Sequence, residues 1–129
     1  MSQPAIKVLV VDDEEANLDF FETVLTREQF TIVKARDGIE ALAKFDQYQP
    51  DLILLDLMMP RLNGYDVCAR LRRHPRGRHV PIIMLTGLEK NDTQPAALEC
   101  GVDDFLTKPV EREELLAHIH ALLKLRAPS

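Results

Sequence analysis

Five short runs of aliphatic and β-branched residues, alternating with segments of helical periodicity, constrain this chain more than any other feature of its sequence. The runs are "IKVLVV" (Ile6–Val11), "TIVKA" (Thr31–Ala35), "DLILLD" (Asp51–Asp56), "PIIMLT" (Pro81–Thr86) and "DFLTK" (Asp104–Lys108). Near-continuous apolar runs need cover on both faces, the situation of a strand in a parallel sheet. Between them, "NLDFFETVLTREQ" carries Leu18, Phe21, Val24 and Leu25 along one helical stripe, and "GIEALAKFDQY" carries Ile39, Leu42, Ala43 and Phe45. "VEREELLAHIHALLKLR" repeats the pattern with Leu115, Ile119, Leu122 and Leu123, and its opening acids suit a helix N-terminus. "GYDVCARLRR" and "TQPAALEC" predict two shorter helices, the third and fourth of five.

Pro50, Pro81 and Pro109 punctuate strand ends, and Gly38, Gly64 and Gly101 fall where turns or helix ends are expected. No linker, repeat or low-complexity tract interrupts the pattern, so residues 1–129 read as one α/β domain. Such alternation predicts a parallel sheet between two helical layers with right-handed crossovers. Ligands of these sheets bind beyond the C-terminal ends of the strands.

Those ends hold the unusual polar residues. Within "DLILLDLMMP" the single charge between Leu52 and Met59 is Asp56, and an unpaired buried carboxylate is costly. The first strand finishes in "VVDDEE", the fourth in Thr86 followed by Gly87, and the fifth in Lys108. Asp12, Asp13 and Asp56 would converge and repel, since two unit charges about 4 Å apart cost roughly 4 kcal/mol at an effective dielectric near 20. Either the carboxylates take up protons or a cation compensates them. Mg²⁺ suits an all-oxygen site, and with the Lys108 ammonium it would balance three carboxylates. One of them could then accept a phosphoryl group.

Each residue also has a blander reading when taken alone. "DDEE" suits a helix N-cap, Thr86 a capping hydroxyl, Lys108 a solvated ammonium and Asp56 a turn residue. The functional reading rests on their arrival at one end of one sheet.

Composition narrows the partners. A chain of 129 residues supports a single core, and a net charge of −5 with a pI near 5.3 argues against coating nucleic acid or an anionic membrane. Cys68 and Cys100 form no C-x-x-C pair and read as core residues in a reducing compartment. No segment is apolar enough to span a bilayer and "MSQPAIK" lacks a signal region, so the cytoplasm is expected. "ARLRRHPRGRH" (Ala69–His79) reads as a solvated surface balancing the acidic site, and the histidines lack the partners of a zinc site.

The motifs "VLVVDDEEAN", "PDLILLDLMMPRLNGYDV", "VPIIMLTG" and "GVDDFLTKPV", in this order and spacing, closely resemble the receiver (CheY-like) domain of two-component response regulators over essentially the whole chain. The resemblance implies a flavodoxin-like (βα)5 doubly wound sandwich with a five-stranded parallel sheet of order 2-1-3-4-5. It makes Asp56 the phosphoacceptor, Asp12 and Asp13 the acidic pair that positions Mg²⁺ with Asp13 as direct ligand, and Met58 the donor of a backbone carbonyl to the metal. Thr86 and Lys108 match the phosphate-binding hydroxyl and ammonium, and Gly87 and the Met58 side chain flank the phosphate entrance. Phe105 matches the aromatic switch position, and Lys108–Pro109 a cis peptide bond.

By the same resemblance the phosphoryl donor is a histidine kinase or phosphotransfer protein, and phosphorylation switches the surface of the fourth helix, fifth strand and fifth helix. Output then goes to a downstream protein or an attached effector domain, with a homodimer through that surface as one form and no direct nucleic-acid or membrane binding. The domain assists its own phosphorylation and dephosphorylation without being a conventional enzyme. No output domain follows "RAPS" in this sequence, and Pro95 within the fourth helix suits only a first turn.

Three rivals share parts of the pattern. A flavin-binding relative needs a phosphate loop where "DDEE" stands. A Mg²⁺-dependent phosphohydrolase with an aspartyl nucleophile needs an Asp where Met58 stands. A degenerate, phosphorylation-independent scaffold has no need to retain all of Asp12, Asp13, Asp56, Thr86 and Lys108.

Overall fold

The computed structural model describes residues 5–59, 62–87 and 101–126. Within them the chain runs β1 (Lys7–Val11), α1 (Glu15–Arg27), β2 (Thr31–Ala35), α2 (Gly38–Tyr48), β3 (Leu52–Asp56), α3 (Gly64–Arg73), β4 (Ile82–Thr86), β5 (Asp104–Thr107) and α4 (Arg112–Arg126). The strands are all parallel and lie in the order β2-β1-β3-β4-β5. The helix expected over Thr93–Cys100 lies outside the described residues, as do Pro95 and Cys100.

β3 and β4 are buried along their whole length, which is why they read as unbroken apolar runs. Alternation sends Val8 and Val10 to one face and Leu9 and Val11 to the other. On the first face they join Leu18, Phe21, Val24 and Leu25 of α1 with Leu115 and Ile119 of α4. On the second they join Ala41 and Phe45 of α2 with Val67, Cys68 and Leu71 of α3. Two helical layers thus enclose the sheet.

Two sequence expectations need correction. Of the stripe expected for α2, Phe45 is buried and Leu42 partly so, but Ile39 is 58% exposed and Ala43 is also exposed. The inward row is Gly38, Ala41 and Phe45. A Cβ on Gly38 would stand 2.7 Å from Val67 Cγ2 and 2.9 Å from the Leu62 backbone oxygen, so the missing side chain lets α2 close on its neighbours along small residues.

The second correction concerns the arginine run. Arg72 is a largely buried staple whose guanidinium donates to the carbonyls of Gly77 (2.8 Å), Val80 (2.7 Å) and Gly101 (2.9 Å) and to Asp103 Oδ2 (2.9 Å). Asp103 Oδ2 in turn accepts from Ile82 N at 2.8 Å, at the start of β4. Arg76 pairs with Asp46, and His74 packs edge-on against Phe45. Arg72 and its partners hold the N-terminal ends of β4 and β5, so they do not balance carboxylates at the opposite end of the sheet. Arg72→Ala is expected to cost about 2–4 kcal/mol of unfolding free energy, because it strands several acceptors at once; urea unfolding measures it.

Candidate functional site

The parallel register assembles the site. Asp12 directly follows β1, where its N–H donates to Ala35 O of β2 at 3.0 Å. β1 lies beside β3, and the last residue of β3, Asp56, stands opposite Leu85 on β4. Thr86 ends β4 opposite Thr107, and the next residue, Lys108, donates its backbone N–H to Thr86 O at 2.7 Å. Crossovers leave β1 and β3 toward opposite sides of the sheet, which opens a crevice above their C-terminal ends.

Into this crevice the structure brings Asp12, Asp13, Asp56 and Lys108. Each carboxylate offers an oxygen, and these atoms lie within 4.8 Å of one another. Lys108 Nζ is 3.0 Å from Asp56 Oδ1 and 3.1 Å from Asp12 Oδ2. Asp12 and Asp56 are buried, and Asp13 stands exposed at the mouth. Asp12 Oδ1 accepts from Glu14 N at 2.9 Å and Oδ2 from Asn17 Nδ2 at 3.1 Å. The residue at the cap position of α1 is Glu14, which makes no side-chain cap hydrogen bond.

The remaining expected residues lie on the same strands or just after them. Thr86 is fully buried, on the same face of β4 as Met84, whose register partner is the half-buried Phe105. Met58 is 64% exposed, and a Cβ on Gly87 would meet nothing within 4 Å among the described residues. The Lys108–Pro109 peptide is cis.

Burial and charge together set the titration of Asp56 and Lys108. Burial, opposed by the Lys108 hydrogen bond and reinforced by the charge of Asp12, pushes the Asp56 carboxyl up to about 6. Burial would lower the Lys108 ammonium, but its hydrogen bond and charge contact with Asp56, and then Asp12, hold it above its ordinary value. Three carboxylates against one ammonium leave a surplus of two negative charges. A hard divalent cation fits that surplus and its oxygen donors.

Sequence reading gave Asn17 no role: it is the last residue of "VLVVDDEEAN", and an amide on the first turn of a helix reads as a solvated surface group. The same reading took Gly64 only as a turn or helix end. A Cβ there would stand 2.7 Å from Asp56 O and 2.8 Å from Met84 Sδ, so the glycine lets α3 begin against the backbone of Asp56 itself.

A strand-end carboxylate paired with lysine in an acidic crevice, on a sheet of order 2-1-3-4-5, defines a class of signalling domain. The model of the response regulator receiver domain matches residues 8–120, and the chain belongs to that family. It is 41% identical over 120 residues to response regulator PleD of Caulobacter vibrioides, covering 93% of this chain and 26% of that protein. It is 42% identical over 118 residues to the DNA-binding dual master transcriptional regulator RpaA of Synechocystis sp., covering 92% and 49%. The chain thus spans between about a quarter and a half of these relatives.

Among solved structures, chemotaxis protein CheY4 of Vibrio cholerae superposes with a TM-score of 0.89 at 28% identity, over 92% of this chain and 99% of that one. The receiver domain of a sensor histidine kinase from Pseudomonas aeruginosa, described with a magnesium ion coordinated in its active-site cleft, gives 0.87 at 30% identity, over 94% and 99%. The chain is therefore a receiver domain of two-component response regulators, a signalling domain rather than a conventional enzyme. No helix among the described residues is long and apolar enough to cross a membrane.

Proposed function

We propose that this receiver takes a phosphoryl group from a histidine kinase or phosphotransfer protein onto Asp56. The observation that carries the proposal is a carboxylate only 3% exposed, at a strand end, with the Lys108 ammonium at 3.0 Å and two further acids beside it. An Asp56 carboxylate oxygen forms the new bond to phosphorus as the donor's P–N bond breaks, and the imidazole leaving group retains its electron pair and takes up a proton. Lys108 and the Thr86 hydroxyl hold phosphoryl oxygens as charge shifts onto them.

Asp13 at the mouth, Asp56 and the Met58 carbonyl would hold Mg²⁺, with Asp12, already engaged by three donors, supporting from behind. When bound there, Mg²⁺ supplies the positive charge that lets an anionic donor approach. Hydrolysis of the aspartyl phosphate, assisted by the same residues, restores Asp56.

The switch follows from Thr86. Drawn toward the phosphoryl group, its hydroxyl vacates space on the face that Phe105 shares, and the ring turns inward. This changes the surface of β5, α4 and the segment between β4 and β5. In that surface the side chains of His118 and Asp104 are already in direct contact, tying α4 to β5. Output passes to a downstream protein, to an effector domain or through a homodimer, in the cytoplasm. Neither a phosphohydrolase, for which Met58 lacks the carboxylate, nor a phosphorylation-independent scaffold uses every one of these groups.

Acetyl phosphate with Mg²⁺, followed by intact mass measurement, is expected to give one phosphoryl adduct, absent without Mg²⁺. A protein that forms no adduct and binds no beryllofluoride would leave the scaffold standing.

A further inference from the structure

We propose that Asn17 is a positioning residue of this site: its amide holds the Asp12 carboxylate in place while Lys108 is shared with Asp56, and still holds it once Lys108 is drawn to a phosphoryl group. The inference rests on the phosphoacceptor reading above.

Asp12 is fully buried, so both its oxygens need donors. Glu14 N serves Oδ1 at 2.9 Å, while Asn17 Nδ2 and Lys108 Nζ share Oδ2, each at 3.1 Å. Glu14 N is fixed by the backbone. Asn17 is fixed by the first turn of α1, where its own N–H donates to Glu14 O at 3.1 Å. Lys108 is different, because its ammonium sits on a long flexible stem and is already divided between two carboxylates.

A phosphoryl group on Asp56 would carry more negative charge than a carboxylate and draw the ammonium toward itself. The movement is short, since Lys108 Nζ already stands 3.0 Å from Asp56 Oδ1. Asp12 Oδ2 would then keep a single donor among the described residues, the Asn17 amide. A neutral amide suits the task, because it steadies the carboxylate without consuming the negative charge that attracts a cation. Asn17 therefore matters more in the phosphorylated state than in the resting one.

The test compares two affinities in the full chain: Mg²⁺ alone, and beryllofluoride at saturating Mg²⁺, both by calorimetry. For Asn17→Ala we expect Mg²⁺ affinity to fall by no more than about threefold and beryllofluoride affinity by about tenfold, the size of one hydrogen bond to a charged group. Asn17→Gln, which keeps the amide, should recover part of the second loss. Asn17→Asp has the same shape without the donors, and must lose beryllofluoride affinity while keeping or gaining affinity for Mg²⁺; it also serves should the alanine variant fold poorly.

A merely structural role would move both affinities together with the melting temperature. Equal losses, or none, with a wild type that binds beryllofluoride would overturn the role of Asn17 alone. A wild type that binds no beryllofluoride in Mg²⁺ would overturn the phosphoacceptor reading and this inference with it.

Discussion

Asp56→Asn is expected to abolish phosphoryl uptake and yet to raise the stability of the metal-free protein at neutral pH by about 2–3 kcal/mol. The carboxyl is buried, and its value rises from 3.8 to about 6 in the folded protein. Between those values the folded chain binds more proton than the unfolded chain, so stability falls as pH rises through the window and the full penalty is present above it. Asparagine keeps the shape and removes the charge. Urea unfolding in chelator at pH 5 and pH 8 should show the gap between variant and wild type widening at the higher pH. Saturating Mg²⁺ should narrow it, because the cation stabilises wild type through Asp56. A wild type as stable as the variant at pH 8 in chelator would show that Asp56 carries no such strain.

Asp56 was legible in the sequence because its charge contradicts its neighbours: a carboxylate inside an aliphatic run must be either exposed or functional. The sheet was legible for a related reason, since β3 and β4 are covered on both faces and leave no polar alternation to confuse the pattern. Strand order is different, because periodicity says which residues are buried and not which strands adjoin; it came from the family resemblance.

The failures have equally local causes. Ile39 was assigned inward by hydrophobicity, but the contact is decided by how closely Gly38 lets the backbone approach Leu62 and Val67. Arg72 was assigned to the surface by charge, though its stem and fork satisfy carbonyls at the edge of the fold. Asn17 was missed because a hydrogen bond to a residue five positions away, across a turn, leaves no periodic trace.

Lys108→Met should have the reverse effect on stability. The ammonium is the one cation within 4 Å of Asp12 and Asp56 among the described residues, and both carboxylates are buried. Methionine retains the apolar stem and removes the charge, so Asp56 is pushed further toward its protonated form and Asp12 keeps only neutral donors. Breaking a buried pair from one side costs about 3–5 kcal/mol, and that loss is expected at neutral pH in chelator. It should shrink on acidification, as Asp56 takes up a proton. Mg²⁺ affinity should rise, since three carboxylates then face the cation with no ammonium competing for them. Phosphoryl transfer should nonetheless fall, because Lys108 is the group placed to hold a phosphoryl oxygen beside Asp56. Tighter metal binding joined to slower labelling by acetyl phosphate separates the two tasks. If Lys108→Met weakened Mg²⁺ binding instead, the ammonium would be organising the carboxylates for the metal rather than neutralising them.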